Sequence, residues 1–163
     1  MFRYPALLIA VLLLSACESA LYQDQFYPPA SGDNTVELLF SSDDLAVQPL
    51  ICQPGSGWQP TEQSVGRGEG KVFDDLNKLL RKANEVSIRV PAGEVLAGFR
   101  YRESGRYADH ARCQVEAGFT TEAGDQIRLV FRRDNKGQCL LDVHGNDQEG
   151  EAALVTTSPV TCQ

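Results

Sequence analysis

The chain has 163 residues, 42% of them hydrophobic, and its 22 acidic residues outnumber its 15 lysines and arginines to give a net charge of −7. This length suits one domain with its own core. Because nucleic-acid binders carry a basic excess, we do not expect this acidic chain to bind nucleic acid.

The N-terminus has the pattern of a secretory signal. Arg3 precedes an apolar run from Ala6 to Leu14, which is followed by small residues. A charged start, a short apolar stretch and small residues before a cleavage site are typical of signal peptides. The run is shorter than the about 20 apolar residues that a membrane-spanning helix needs. We therefore predict that residues 1–16 form a signal peptide.

The segment Leu14-Ser15-Ala16-Cys17 resembles the lipobox of bacterial lipoproteins. In that family the cut falls before the cysteine, so the resemblance implies that Cys17 is the lipidated mature N-terminus. Two or three acyl chains hold a protein on a bilayer almost irreversibly. In enterobacterial lipoproteins an Asp after this cysteine favours the inner membrane, whereas Glu18 stands here. The resemblance thus implies an outer-membrane lipoprotein on the periplasmic face.

The stretch after Cys17 lacks the periodicity of a helix or strand and includes Pro28 and Pro29. It predicts a lipidated N-terminus with a flexible tether over residues 17–34. A single β-rich domain is predicted over residues 35–163, beginning with a strand at 35–40.

With Cys17 assigned to lipid, an even number of cysteines remains in an exported chain, which predicts two disulfides. Zinc is not expected, because the chain has only two histidines and these cysteines have no Cys-x-x-Cys spacing. We predict no cofactor of any kind. The disulfide cysteines are Cys52, Cys113, Cys139 and Cys162.

The first half of the domain contains a second strand at 48–52 and then a Gly- and Pro-rich loop from Pro54 to Gly70. Trp58 in this loop is either a packed core residue or a partner contact. Acidic residues early and basic residues late, with apolar residues three or four apart, predict an amphipathic helix from Val72 to Ala83.

From Val86 onward apolar and polar residues alternate, and turns follow at Pro91 to Glu94, Glu122 to Asp125 and Asp134 to Gly137. Strands at this spacing predict a mainly β fold, a small antiparallel β-sandwich or barrel stapled by disulfides, with the one short helix. The predicted strands span residues 86–90, 95–101, 113–119, 127–131, 139–144 and 152–156.

The pairing of the cysteines depends on topology. In a simple meander, Cys113 and Cys139 would lie on strands separated by one strand, about 9.6 Å apart and too far for a disulfide. This favours Cys52–Cys113 with Cys139–Cys162. A single crossover between sheets would instead give Cys113–Cys139 with Cys52–Cys162.

Two further resemblances concern short motifs. The Pro-Ala-Gly turn at 91–93 and the Phe119 to Asp125 hairpin resemble those of uncharacterised small β-rich bacterial lipoproteins, which implies a fold but no activity. The segments 104–107 and 150–154 resemble fragments of the membrane-bound lysozyme inhibitors. That resemblance implies that Ser104 and Tyr107 contact a partner.

No catalytic constellation is evident. His110 follows Asp109, and His144 shares a strand face with Asp142, but no nucleophile elbow accompanies them. We predict that the protein is not an enzyme, and that the acidic run at 147–151 is a solvated turn. The expected function is a non-enzymatic protein-interaction or structural module whose partner is an envelope protein. The alternative is an inhibitor of lysozyme or another cell-wall hydrolase.

Overall fold

A computed structural model describes residues 26–43, 46–66, 82–102, 112–146, 152–154 and 161–162. Within these segments the secondary structure is entirely β, and they contain no helix of the length and apolarity needed to cross a membrane. The strands are β1 (Thr35–Ser42), β2 (Val47–Gln53), β3 (Gly57–Pro60), β4 (Ser64–Val65), β5 (Lys82–Ala83), β6 (Glu85–Pro91), β7 (Gly93–Arg102), β8 (Arg112–Thr121), β9 (Gln126–Arg133), β10 (Cys139–Asn146) and β11 (Ala152–Leu154).

The strands form two sheets that pack face to face. Sheet A has the order β11-β10-β9-β1-β6, and sheet B has the order β5-β4-β2-β7-β8, with β3 also paired to β2. The predicted mainly β sandwich is confirmed, but the prediction that it is antiparallel is wrong. β1 runs parallel to β9, and β4 runs parallel to β5. The chain returns from sheet B before β9, so β9 joins β1 in the same direction rather than through a hairpin.

Alternation along the strands places one face of each sheet in the core. The predicted pattern in β7 is confirmed, since Val95, Ala97, Phe99 and Tyr101 are all buried. The core of sheet A is supplied mainly by alternate residues of β1, β6 and β9. At its centre the Phe99 ring meets the ring of Phe40 edge-on, with centroids 5.4 Å apart. Two apolar faces buried against each other are the main source of stability in such a sandwich.

Two segments differ from the predictions. β3 and β4 lie within the predicted loop 54–70, and Trp58 is a half-buried strand residue that pairs with Cys52. The predicted helix Val72–Ala83 lies outside the described residues except for its end. There Lys82 and Ala83 form β5, because their backbones pair in register with Ser64 and Val65.

The disulfides are Cys52–Cys162 and Cys113–Cys139, with Cα atoms 5.7 and 6.5 Å apart. The favoured pairing from the sequence is therefore wrong, and the crossover alternative is correct. The physical reason is that the chain passes from sheet B to sheet A between β8 and β9. Cys113 and Cys139 thus lie on facing sheets rather than two strands apart in one sheet.

Residues before β1 lie against the side of the sandwich. The Tyr27 amide donates to the Pro60 carbonyl at 2.9 Å, and the Ala30 amide donates to the Arg89 carbonyl at 2.8 Å. The Tyr27 side chain packs on the core, and burial raises its pKa. The segment 26–30 therefore connects β3 of sheet B with β6 of sheet A, so the second half of the predicted tether contacts the domain.

Candidate functional site

One end of the sandwich carries a group of exposed cationic residues. β1 and β9 run parallel and end here, at Ser42 and Arg133. β7 ends here as well, as shown by the stacking of Tyr101 on Phe131, whose ring centroids are 6.0 Å apart. We call this region the basic end and define it by four exposed cationic residues. They are Arg102, Arg132, Arg133 and Lys136.

An open cavity of about 790 Å³ lies at the basic end, between the end of β1 and the turn that joins β9 to β10. Its volume is in the range of small-molecule sites, about 300–1,000 Å³. Three of the four cations line it, together with two carboxylates, and Leu140 is 41% exposed at the same place. The lining residues that carry charge are Asp43, Arg132, Arg133, Asp134 and Lys136.

Arg133 is held in position by two contacts. Its Nε donates to the Gly137 carbonyl at 3.1 Å, and its guanidinium lies 5.5 Å from the centre of the Tyr101 ring. Gly137 has φ +81°, a conformation that residues with a Cβ rarely adopt, which lets the turn bring its carbonyl back to Arg133. Contacts of this kind orient a long side chain that would otherwise sample many rotamers.

The turn itself is fixed by Asp134. Its Oδ1 accepts hydrogen bonds from the amides of Lys136 and Gln138 at 2.9 and 2.8 Å. Arg132, near the end of β9, forms an ion pair with Asp142 of the neighbouring strand β10. This pair places Asp142 in a role that sequence reasoning missed, because the sequence suggested only that it shares an exposed polar face with His144.

The opposite end of the sandwich is acidic. Hydrogen bonds from Gly124 to Thr35 and from Ala92 to Asn34 bring the two interstrand turns together there. Four carboxylates lie on these turns and beside them, within the described part of the chain. They are Asp33, Glu94, Glu122 and Asp125. Among the described residues, this end therefore carries carboxylates, whereas the basic end carries both cations and carboxylates.

The outer face of sheet A carries a polar network. Ser87 Oγ donates to Glu37 Oε1 at 2.5 Å, and Gln126 Nε2 donates to Glu37 Oε2 at 2.8 Å. These hydrogen bonds, aided by the charge of Arg89, lower the pKa of Glu37. Each group has its partner within this surface, so the network is a stabilising feature of the sheet rather than a site.

Arg128 and Glu85 add an ion pair to the same face, at 3.6 Å. They belong to β9 and β6, which are separated by β1 and thus by about 9.6 Å. The arginine stem must therefore cross β1 where Leu39 points outward. The methylene groups of Arg128 would then cover the Leu39 side chain, which is only 7% exposed although it lies on the outer face.

Apart from the four disulfide cysteines, the residues singled out in the sequence are not brought together in the described structure. Trp58 lies on β3 beside the Cys52–Cys162 disulfide. His144 lies on β10, in register with Arg128. Cys17, Ser104, Tyr107, His110 and the acidic run 147–151 lie outside the described residues. In the part of the chain that is described, no three His, Cys, Asp or Glu side chains group in a way that could hold a metal ion.

The basic end was not predicted from the sequence because Arg132, Arg133 and Lys136 look like ordinary surface residues there, and Arg102 is distant from them in the chain. A usable signal was present in Arg132-Arg133, which directly precede the turn Asp134 to Gly137 in a chain with an acidic excess. No protein-family model matches the chain, and comparison with curated proteins and with solved structures finds no similar protein.

Proposed function

We propose that this protein is a lipid-anchored, non-enzymatic interaction module of the bacterial cell envelope, and that the basic end is its contact surface. The observation that carries this proposal is the open cavity at the basic end, which three cationic side chains and two carboxylates line. Charged groups arranged around a surface steer and select partners whose own charges complement them.

Lipid anchoring through Cys17 is supported by the lipobox-like sequence and by the short distance to the folded domain. Only ten residue steps separate Cys17 from Tyr27, which is in contact with the sandwich. A fully extended chain of that length spans at most about 35 Å. The domain would therefore work close to the periplasmic face of the outer membrane.

The two disulfides support export. Structural disulfides form in oxidising compartments such as the periplasm and are rare in the bacterial cytosol. Both bonds hold parts of the fold that are far apart in sequence, with separations of 110 and 26 residues. This arrangement suits a small domain that must persist outside the cytosol.

Fractionation of cell envelopes tests the anchoring. We expect the wild-type chain in the outer-membrane fraction and the Cys17→Ser variant outside it. The double variant Cys113→Ser/Cys139→Ser is the matched control, because it loses cysteines but keeps Cys17, and we expect it to stay with the membrane. A Cys17→Ser variant that remains in the membrane fraction would contradict lipid anchoring.

A crosslinking pull-down tests the contact surface. We expect the intact chain to retrieve a defined envelope component, and the Arg132→Gln/Lys136→Gln variant to lose it. The Arg89→Gln/Arg100→Gln variant removes the same charge from positions outside the cavity and should retain the component. Equal retrieval by all three chains would count against the basic end.

A further inference from the structure

We propose that the outer edge of β10 binds an extended peptide segment of a partner protein, which adds a strand to sheet A next to the cavity. This inference rests on the function proposed above and names the form of the partner. β10 pairs with β9 on one side, whereas on its other side β11 pairs only with residues 144–146. Within the described residues no strand pairs with 139–143 on that side, and we call this stretch the open edge.

The backbone of the open edge is suited to strand addition. β11 shows that the same edge accepts an antiparallel strand, since Ala153 pairs with Gly145. Proteins protect edge strands with lysine, proline or a covering segment, and the open edge, Cys-Leu-Leu-Asp-Val, has neither lysine nor proline. The edge strand β6 on the opposite side of sheet A differs, because it ends in Pro91 and its Arg89 carbonyl accepts a hydrogen bond from the Ala30 amide.

The core is incompletely covered beside the open edge. Cys139 and Leu141 of β10 are only partly buried, and so are Cys113 and Val115 of the facing strand β8. We call these four residues the apolar seam. Leu140 points to the other face of sheet A and is 41% exposed. A strand added to the open edge would place every second side chain over the apolar seam. The fitting partner is therefore an extended segment with apolar side chains at alternate positions.

Charge favours a neutral peptide from another protein over a second copy of this chain. Asp142 is the one charged residue of the open edge, and its ion pair with Arg132 leaves the edge without net charge. The whole chain, however, carries a net charge of −7, which opposes its association with a second copy. Leu140 lies on the open edge and also lines the cavity, so a peptide bound here would adjoin the proposed contact surface.

A peptide titration tests this binding. The probe is a fluorescent synthetic peptide in which valine and threonine alternate between two terminal lysines, and it is titrated into the full-length chain held in uncharged detergent. The control peptide has proline in place of its central valine, because proline lacks the amide donor and is excluded from the interior of a sheet. We expect saturable binding of the probe and binding of the control that is weaker by about tenfold or more.

Hydrogen exchange locates the bound peptide without any substitution. The probe should slow the exchange of those backbone amides of the open edge that point away from β9, and it should leave the amides of β6 unchanged. Slow exchange of the same amides in the peptide-free monomer would overturn the proposal, because the chain itself would then occupy the edge. A peptide-free dimer in sedimentation that protects these amides would overturn it in favour of a second copy.

Two variants separate the apolar seam from the rest of the surface. We expect Leu141→Lys to weaken binding of the probe by about tenfold or more, because the peptide would cover the new charge. Thr120→Lys adds the same charge at an exposed position of β8 outside the seam and should leave the affinity unchanged. Thermal unfolding checks that both variants fold, and the exchange measurement on the wild-type chain does not depend on them.

The proposal is overturned if the probe does not bind saturably, if the proline peptide binds equally well, or if both lysine variants weaken binding to the same extent. These experiments use the purified chain and a synthetic peptide. Their failure would therefore leave the membrane fractionation and the crosslinking pull-down, which test the proposed function, unaffected.

Discussion

Cys113 of β8 and Cys139 of β10 are bonded across the gap between the two sheets, with their Cα atoms 6.5 Å apart. Their strand partners in register are Tyr101 and Arg133, which form the cation–π contact of the basic end. The disulfide therefore fixes the separation of the sheets next to the cavity. It connects the stability of the sandwich with the geometry of its charged end.

Removal of this bond should destabilise the domain. We expect Cys113→Ala/Cys139→Ala to lower the free energy of unfolding by about 3 kcal/mol, the usual value for a loop of this length. Chemical denaturation without reductant measures the effect, since Cys52–Cys162 stays intact. Unchanged stability would show that packing alone holds β8 against β10.

Gly98 lies where β7 and β8 are too close for a side chain. A Cβ at this position would be 2.1 Å from the Val115 carbonyl oxygen, which belongs to backbone and cannot rotate away. We expect Gly98→Ala to cost about 2 kcal/mol or more of unfolding free energy.

Gly66→Ala is the matched control for this change. Its Cβ would meet Ala46 and Lys82 at 3.5 Å, an ordinary contact distance. Denaturation midpoints should separate the two variants clearly. Similar midpoints would mean that β7 and β8 can move apart without cost.

Docking of the segment before β1 can be tested at Tyr27. The Tyr27 side chain packs on the core, whereas Phe26 is 39% exposed. We expect Tyr27→Ala to lower the unfolding free energy by about 2 kcal/mol and Phe26→Ala by less than about 1 kcal/mol. A larger loss of unfolding free energy for Phe26→Ala than for Tyr27→Ala would contradict the packing of Tyr27 against the sandwich.

Glu37 should titrate below its ordinary pKa of 4.5, because Ser87 and Gln126 donate hydrogen bonds to its carboxylate. A lowered folded-state pKa contributes stability that is complete above 4.5 and is lost as the pH falls through the lower value. Carboxyl NMR should show this shift, and Ser87→Ala should move the pKa back upward. A wild-type pKa at or above 4.5 would contradict the hydrogen-bonded geometry.

Most strands could be predicted from the sequence because alternation reports directly which face is buried. The pattern at 95–101 gave the core residues of β7 correctly. β3 was missed because Gly57 and Pro60 are typical of loops, and Pro60 is tolerated only because β3 is a short strand off the main order of sheet B.

Sheet order and disulfide pairing depended on distant contacts that local pattern does not encode. The parallel pairing of Leu38 with Ile127 joins residues almost ninety positions apart. Nothing in the sequence of β1 or β9 specifies that these two strands pair. A different order of strands would give the other pairing of the cysteines. The cavity was not predicted for the same reason, since Asp43 and Lys136 line one cavity only after β1 and β9 have paired.

Site-specific photo-crosslinking in intact envelopes tests most directly whether the basic end is the contact surface. A photoreactive residue replaces either Leu140 at the cavity or Thr120 of β8, which is also exposed but lies towards the acidic end. We expect a discrete crosslinked product from Leu140, lost when Arg132→Gln is added, and none from Thr120. Product from Thr120 alone, or product from Leu140 that persists in Arg132→Gln, would contradict the proposed surface.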